Sequence, residues 1–130
     1  MRHKPLERIL LVEDEPHLQM VTRVTLERVG GFQVQSCNSG EDALRDARTF
    51  RPDLILLDIM MPGMDGMETL RVLRSSPETA DIEVVFMTAK AQKAEMDAYH
   101  DLGALGVVTK PFDPMTLPAL LHKIWSGELS

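Results

Sequence analysis

The sequence predicts an α/β domain in which a parallel sheet is covered by helices on both faces. Three observations carry this. Short apolar runs alternate along the chain with amphipathic segments at helical spacing. The most apolar run, Leu54-Ile55-Leu56-Leu57, is continuous rather than alternating. It is bounded by Pro52 on one side and by Pro62, Gly63 and Gly66 on the other, the pattern of a strand buried on both faces. That run ends on a carboxylate, Asp58. So apolar a strand accepts an acid only at the rim of its sheet, at the carboxyl edge where open α/β sheets bind ligands.

The elements follow in order. Ile9 to Val12 is an apolar run ending in Glu13 and Asp14, read as strand 1. Pro16 to about Val29 reads as a helix with Leu18, Val21, Thr25 and Val29 on one side, stopped by Gly30-Gly31. Phe32 to Cys37 alternates weakly and reads as a less buried strand 2. Ser39-Gly40 opens a second helix with Ala43, Ala47 and Phe50 on one face. After strand 3, a helix runs from about Met67 to Arg74 with Leu70 in register, and Ser75 to Glu78 is a loop. Glu83 to Thr88 is strand 4 and ends on a hydroxyl. Helix 4 runs from about Gln92 to Leu102, closed by Gly103, and Gly106 to Thr109 is strand 5, followed by Lys110-Pro111. Asp113 as N-cap and Pro114 at the first helical position open helix 5, which reaches about Trp125 with Leu117, Leu121 and Ile124 inward. Pro118 falls inside it, which should cost one backbone bond and bend its first turn. Residues 126–130 read as a polar tail, and 1–130 as one domain with a core over about 8–125.

Composition narrows the function. The 130 residues are 44% hydrophobic and 26% charged, ordinary values for one globular core. Fourteen basic against twenty acidic side chains give a net charge of −6, with no basic cluster beyond the first residues, so direct nucleic-acid binding is not expected. A single cysteine, Cys37, fits a reducing, cytoplasmic setting. The opening Met1-Arg2-His3-Lys4-Pro5 lacks the apolar region of a signal peptide, and no run is long enough to span a bilayer. His3, His17, His100 and His122 are scattered without ligand spacing and read as surface residues.

The rim of this sheet would carry Glu13, Asp14, Asp58, Thr88 and Lys110. At ~4 Å and an effective dielectric of about 20, each carboxylate pair repels by about 4 kcal/mol. One lysine against three acids leaves two negative charges, which a divalent cation would neutralise. Carboxylates with a loop carbonyl and waters suit Mg²⁺. A metal, a lysine and a short hydroxyl are also what a transferring phosphoryl group requires, and Asp58 could then act as its nucleophile. Singly, each residue has an ordinary reading: acids before a helix complement its dipole, Asp58 could cap a turn, Thr88 could merely end a strand, and Lys110 could be a solvated lysine. Met60, Met61, Met64 and Met67 read as packing. Their coincidence at successive strand ends favours chemistry.

Glu13-Asp14, Asp58 with Met60-Met-Pro-Gly-Met-Asp-Gly66, Thr88-Ala89 and Lys110-Pro111-Phe112 together resemble the receiver domain of bacterial two-component response regulators, over about Arg8 to Ile124. The resemblance implies a flavodoxin-like (βα)5 fold, doubly wound, with a five-stranded parallel sheet of order 2-1-3-4-5. It implies that Asp58 accepts a phosphoryl group from a histidine kinase or histidine phosphotransfer protein. Asp14, Asp58 and the Met60 backbone carbonyl would ligate Mg²⁺, Glu13 would act through water, Lys110 would contact the phosphoryl group, and Thr88 would report it. A cis Lys110–Pro111 bond would turn the lysine toward the acids. A downstream protein would bind the helix 4–strand 5–helix 5 face, with the chain a monomer or a phosphorylation-dependent homodimer. Such a domain phosphorylates and slowly dephosphorylates itself and is not an enzyme with an external product.

Relatives often carry an aromatic three positions before the lysine; here that position is Val107. The signal must then leave by a shift of the Ala89 to Lys93 loop and helix 4, where Met96 and Tyr99 could offer apolar contact. Two other classes compete. A Mg²⁺-dependent phosphohydrolase working through an aspartyl phosphate would want a second acid two residues after its nucleophile, where Met60 stands. A flavin- or nucleotide-binding protein would want a Gly-rich or hydroxyl-rich phosphate loop after strand 1, whereas Glu13-Asp14-Glu15-Pro16 would repel phosphate unless a metal intervened.

Overall fold

The computed structural model describes residues 4–129. The strands are β1 (Arg8–Val12), β2 (Gln33–Cys37), β3 (Leu54–Asp58), β4 (Glu83–Thr88) and β5 (Gly106–Thr109). They form one parallel sheet in the order 2-1-3-4-5. The helices are α1 (Pro16–Arg28), α2 (Gly40–Phe50), α3 (Gly66–Arg74), α4 (Lys93–Asp101) and α5 (Leu117–Ser126). The expected fold class is therefore the observed one.

Pleating divides the strands between two cores. On one face Leu10, Val12, Ile55, Leu57, Val84 and Phe86 meet Ala43 and Ala47 of α2, Leu70 and Leu73 of α3, and Tyr99 of α4. On the other, Ile9, Leu11, Leu54, Leu56, Val85 and Met87 meet Leu26 of α1 and Leu117, Leu121 and Ile124 of α5. Central β3 is buried at every residue, while edge strand β2 is mostly half-exposed, as its weaker pattern predicted. A fully buried leucine or isoleucine contributes roughly 1.5–3 kcal/mol, so the central strands hold most of the apolar stabilisation.

At the amino edge of the sheet, Asp53 anchors the start of β3. Its carboxylate accepts from the backbone N–H groups of Glu7 (2.9 Å) and Arg8 (2.8 Å) and pairs with Lys4 at 2.7 Å. Trp125 lies at this same end, its indole N–H donating to the Lys4 carbonyl at 2.8 Å.

Several local expectations are corrected. The buried side of α1 is Thr22, Thr25 and Leu26, and Val29 is 52% exposed. Thr25 can face the core because its Oγ1 donates back to the Val21 carbonyl at 2.8 Å, whereas the buried Thr22 hydroxyl has no partner among the described residues; Val29 lies past the last helical turn as the C-cap. Helix 5 is two pieces: a 3₁₀ turn at Pro114–Thr116, capped by Asp113, and then α5. Pro118 therefore occupies the first turn of α5, where its missing N–H has no helical acceptor to lose. The expected tail is partly structured: Ser126 ends α5, Gly127 adopts φ 89°, and the Glu128 N–H reaches the Lys123 carbonyl at 2.9 Å. Met61 packs in the core, but the Met60 side chain is 61% exposed. His17, His100 and His122 are exposed as expected, and His3 lies outside the described residues.

Candidate functional site

Parallel register brings the acids together. Val12 pairs with Leu57, so the residues that follow, Glu13-Asp14 and Asp58, leave the sheet side by side. Asp58 pairs with Met87 and Thr88 with Thr109, which sets Lys110 at the next strand end. Glu13 is 1% exposed and Asp58 3%. One carboxylate oxygen each from Glu13, Asp14 and Asp58 lie within 4.8 Å of one another. Lys110 Nζ spans two of the three acids, 2.9 Å from Glu13 Oε1 and 3.2 Å from Asp58 Oδ2. The Lys110–Pro111 bond is cis, as expected.

The loops around these groups are fixed by short backbone ties. Glu13 N–H donates to the Cys37 carbonyl at 3.1 Å, and Met60 N–H to Asp58 Oδ1 at 3.3 Å. Helix α3 starts against the end of β3, with Gly66 N–H on the Ile59 carbonyl at 2.9 Å. A Cβ at Gly66 would stand 2.5 Å from the Asp58 carbonyl oxygen and 2.7 Å from Ile59 Cα, so only glycine permits this approach. Thr88 is 1% exposed, and its hydroxyl accepts from Lys90 N–H at 3.0 Å.

Burial, and next the nearby Glu13 charge, push the Asp58 carboxyl from 3.8 up to about 6, with Lys110 pulling the other way. For Lys110, burial opposes the ammonium, but the hydrogen bond to Glu13 and the charge of Asp58 prevail and raise its pKa. The site thus holds an excess of negative charge that one lysine does not satisfy. Oxygen-only donors around that excess fit a hard divalent cation.

The structure brings Glu13, Asp14, Asp58 and Lys110 into one pocket and sets Thr88 at the neighbouring strand end. Val107 pairs with Phe86 and is half-buried. Tyr99, expected to offer surface contact from helix 4, is instead 4% exposed. Its ring meets Phe86 edge-on and its hydroxyl donates to the Lys90 carbonyl at 2.8 Å, so burial satisfies both parts of the side chain. Sequence reasoning also missed Gln19. Its amide contacts the Glu13 carbonyl (2.8 Å), the Cys37 carbonyl (3.1 Å) and Asn38 Oδ1 (2.6 Å), lacing the ends of β1 and β2. A glutamine on a helix carries no local signal of such a role. A shallow depression of about 270 Å³ beside the lysine is lined by Leu18, Ala89, Lys110, Pro111 and Phe112.

A parallel sheet with this acid pocket at its carboxyl edge fits a domain that handles a phosphoryl group. Residues 9–122 match the response regulator receiver domain family, and the chain belongs to that family. The DNA-binding response regulator MtrA of Mycolicibacterium smegmatis is 39% identical over 113 residues, 87% of this chain and 48% of that protein. Protein PilH of Pseudomonas aeruginosa is 34% identical over 122 residues, 94% of this chain and all of PilH. The chain thus spans about half the length of several curated relatives and the whole of another. Among solved structures, the chemotaxis protein CheY4 of Vibrio cholerae superposes with a TM-score of 0.84 at 27% identity, covering 92% of this chain and 99% of that one. Two-component signalling by phosphorylation is accordingly the function of this domain. Among the described residues no helix is long and apolar enough to cross a membrane.

Proposed function

We propose that Asp58 is the phosphoacceptor, supplied by the phosphohistidine of a sensor kinase or phosphotransfer protein. The observation that carries this is the Asp58 carboxylate, buried beside Glu13 and Asp14 and 3.2 Å from Lys110 Nζ. Above about pH 6 Asp58 is ionised. One of its oxygens bonds to phosphorus as the phosphorus–nitrogen bond of the donor breaks, and the released imidazole takes up a proton. Lys110 holds the acceptor carboxylate in place and offers its ammonium to the incoming phosphoryl oxygens. Thr88 aims its hydroxyl at the product. Asp14, Asp58 and the Met60 carbonyl would hold Mg²⁺, with Glu13 acting through water; when bound, the cation offsets charge on the transferring group. We assign no external catalytic turnover to the domain, take residues 1–130 as one receiver unit and place it in the cytoplasm.

A downstream protein or a second copy would bind the face of α4, β5 and α5. MtrA is DNA-binding by name; the net charge of −6 argues that this domain itself touches no phosphate backbone. Acetyl phosphate with Mg²⁺ should add one phosphoryl group, read by intact mass, and Asp58→Asn should abolish it. Phosphate mapped to a histidine or serine would refute the assignment.

A further inference from the structure

We propose that Tyr99 is a positioning residue for Thr88, holding that hydroxyl through the backbone of Lys90 and handing its displacement to α4. The proposal rests on the reading of Asp58 as phosphoacceptor. Tyr99 is the only residue of α4 that is fully buried. With half-buried Met96 packing beside it, Tyr99 is the deepest anchor of the helix, through an edge-on contact with Phe86 at 5.4 Å between centroids. Its hydroxyl reaches past the helix to the loop that follows β4 and donates to the Lys90 carbonyl at 2.8 Å. Lys90 is held at its other end too, its N–H donating to Thr88 Oγ1 at 3.0 Å. The result is a continuous line from the anchor of α4, through one residue's backbone, to a buried hydroxyl at the rim of the acid pocket.

This line has a direction. A threonine hydroxyl has one hydrogen to give and two lone pairs. Lys90 N–H occupies a lone pair, so the hydrogen is left for another acceptor, and oxygens arriving on Asp58 would be new acceptors at the same rim. Drawing Thr88 toward them carries Lys90 along, because that bond can be kept during the move. The Lys90 carbonyl then pulls on the Tyr99 hydroxyl or leaves it. Either event disturbs α4 at its most deeply buried residue. The strand beside β4 offers no alternative lever: its residue opposite Phe86 is Val107, which has one χ angle and a preferred rotamer. The aromatic that meets Phe86 is on the helix, at Tyr99.

Tyr99→Phe keeps the ring and removes the tie. Amide NMR on the whole chain reads both halves of the proposal. Without ligand, the variant should speed exchange of the Lys90 amide by about fivefold, the factor one net hydrogen bond supplies, and shift the Ala91 amide that shares the Lys90 carbonyl. Mg²⁺ affinity should match the parent chain. With Mg²⁺ and beryllofluoride, the parent should shift amides both at Thr88 to Lys90 and along α4, whereas Tyr99→Phe should shift the first set and leave α4 quiet. Unchanged Lys90 exchange, or an α4 response equal to the parent's, would overturn the proposal. So would loosening spread evenly over α4 with both responses intact, since that is what plain packing predicts. A parent chain that takes no beryllofluoride at all would instead overturn the reading of Asp58, and the proposal with it.

Discussion

The buried Asp58 carboxylate carries a folding cost. Its carboxyl is raised from 3.8 to about 6, so between these values the native state holds a proton that the unfolded state has released. Stability therefore falls as pH rises through that window, and the cost is fully present above about pH 6. At about 1.4 kcal/mol per unit the cost is on the order of 2–3 kcal/mol. Asp58→Asn should raise the urea midpoint at pH 7.5 in a chelator, with a much smaller gain at pH 4. A gain independent of pH would mean that packing and not charge is responsible. On the proposed reading the acids also divide by role. Asp14→Ala should weaken Mg²⁺ binding far more than Glu13→Ala, measured by calorimetry, because Glu13 Oε1 is already held by Lys110 at 2.9 Å. Equal losses would contradict that division.

Elements matter here through how closely they approach the strand ends. Helix α3 begins on the backbone of Asp58 and Ile59, and Gly66→Ala would force them apart, since the new Cβ meets backbone atoms that cannot rotate away. The expected cost is roughly 1–3 kcal/mol in urea unfolding, with weaker Mg²⁺ binding because the Met60 loop moves too. The β4–α4 loop gives a second element-level expectation. Thr88→Ala should sharply cut the difference in partner binding, or in dimerisation, with and without beryllofluoride. Val107→Ala should change it modestly, because a half-buried valine has no alternative placement to offer. Comparable uncoupling by both would make position 107 the switch despite its size.

Across the whole molecule, the two buried carboxylates that flank β3 have opposite electrostatics. Asp58 at the carboxyl end is under-satisfied. At the amino end burial works against Asp53, yet Lys4 and the Arg8 and Glu7 N–H groups outweigh it and hold its pKa low. The stability Asp53 contributes is present above the ordinary carboxylate pKa and is lost as pH falls through its lowered value. Asp53→Ala should cost about 2–3 kcal/mol at pH 7, leaving two backbone donors unmet. Trp125 stands on this stabilised end, so its emission should follow unfolding and stay unchanged on Mg²⁺ addition. A tryptophan response to the metal would show that the two ends are coupled.

The sequence by itself determined the sheet and the contents of its rim. Strands buried on both faces need unbroken apolar runs, so β1, β3 and β4 declare themselves; the short edge strand β5 is marked only by Val107-Val108 between Gly106 and Thr109. A polar residue that ends an apolar run must lie at an edge. Glu13, Asp14, Asp58, Thr88 and Lys110 were legible for that reason, and Gly66 as part of the motif after Asp58. Tertiary structure alone decided what depends on neighbours distant in sequence. The inward side of α1 is Thr22, Thr25 and Leu26, not the side the apolar count picks out, and of the two threonine hydroxyls only that of Thr25 finds a partner within the helix. The split of helix 5 followed from the 3₁₀ turn that precedes it. Gln19 became a tie only because β2 ends beside β1. Tyr99 looks like a surface aromatic on a polar helix until Phe86 and the Lys90 carbonyl are brought against it. Periodicity reports which residues leave water; which partner receives them is fixed only when the sheet has assembled.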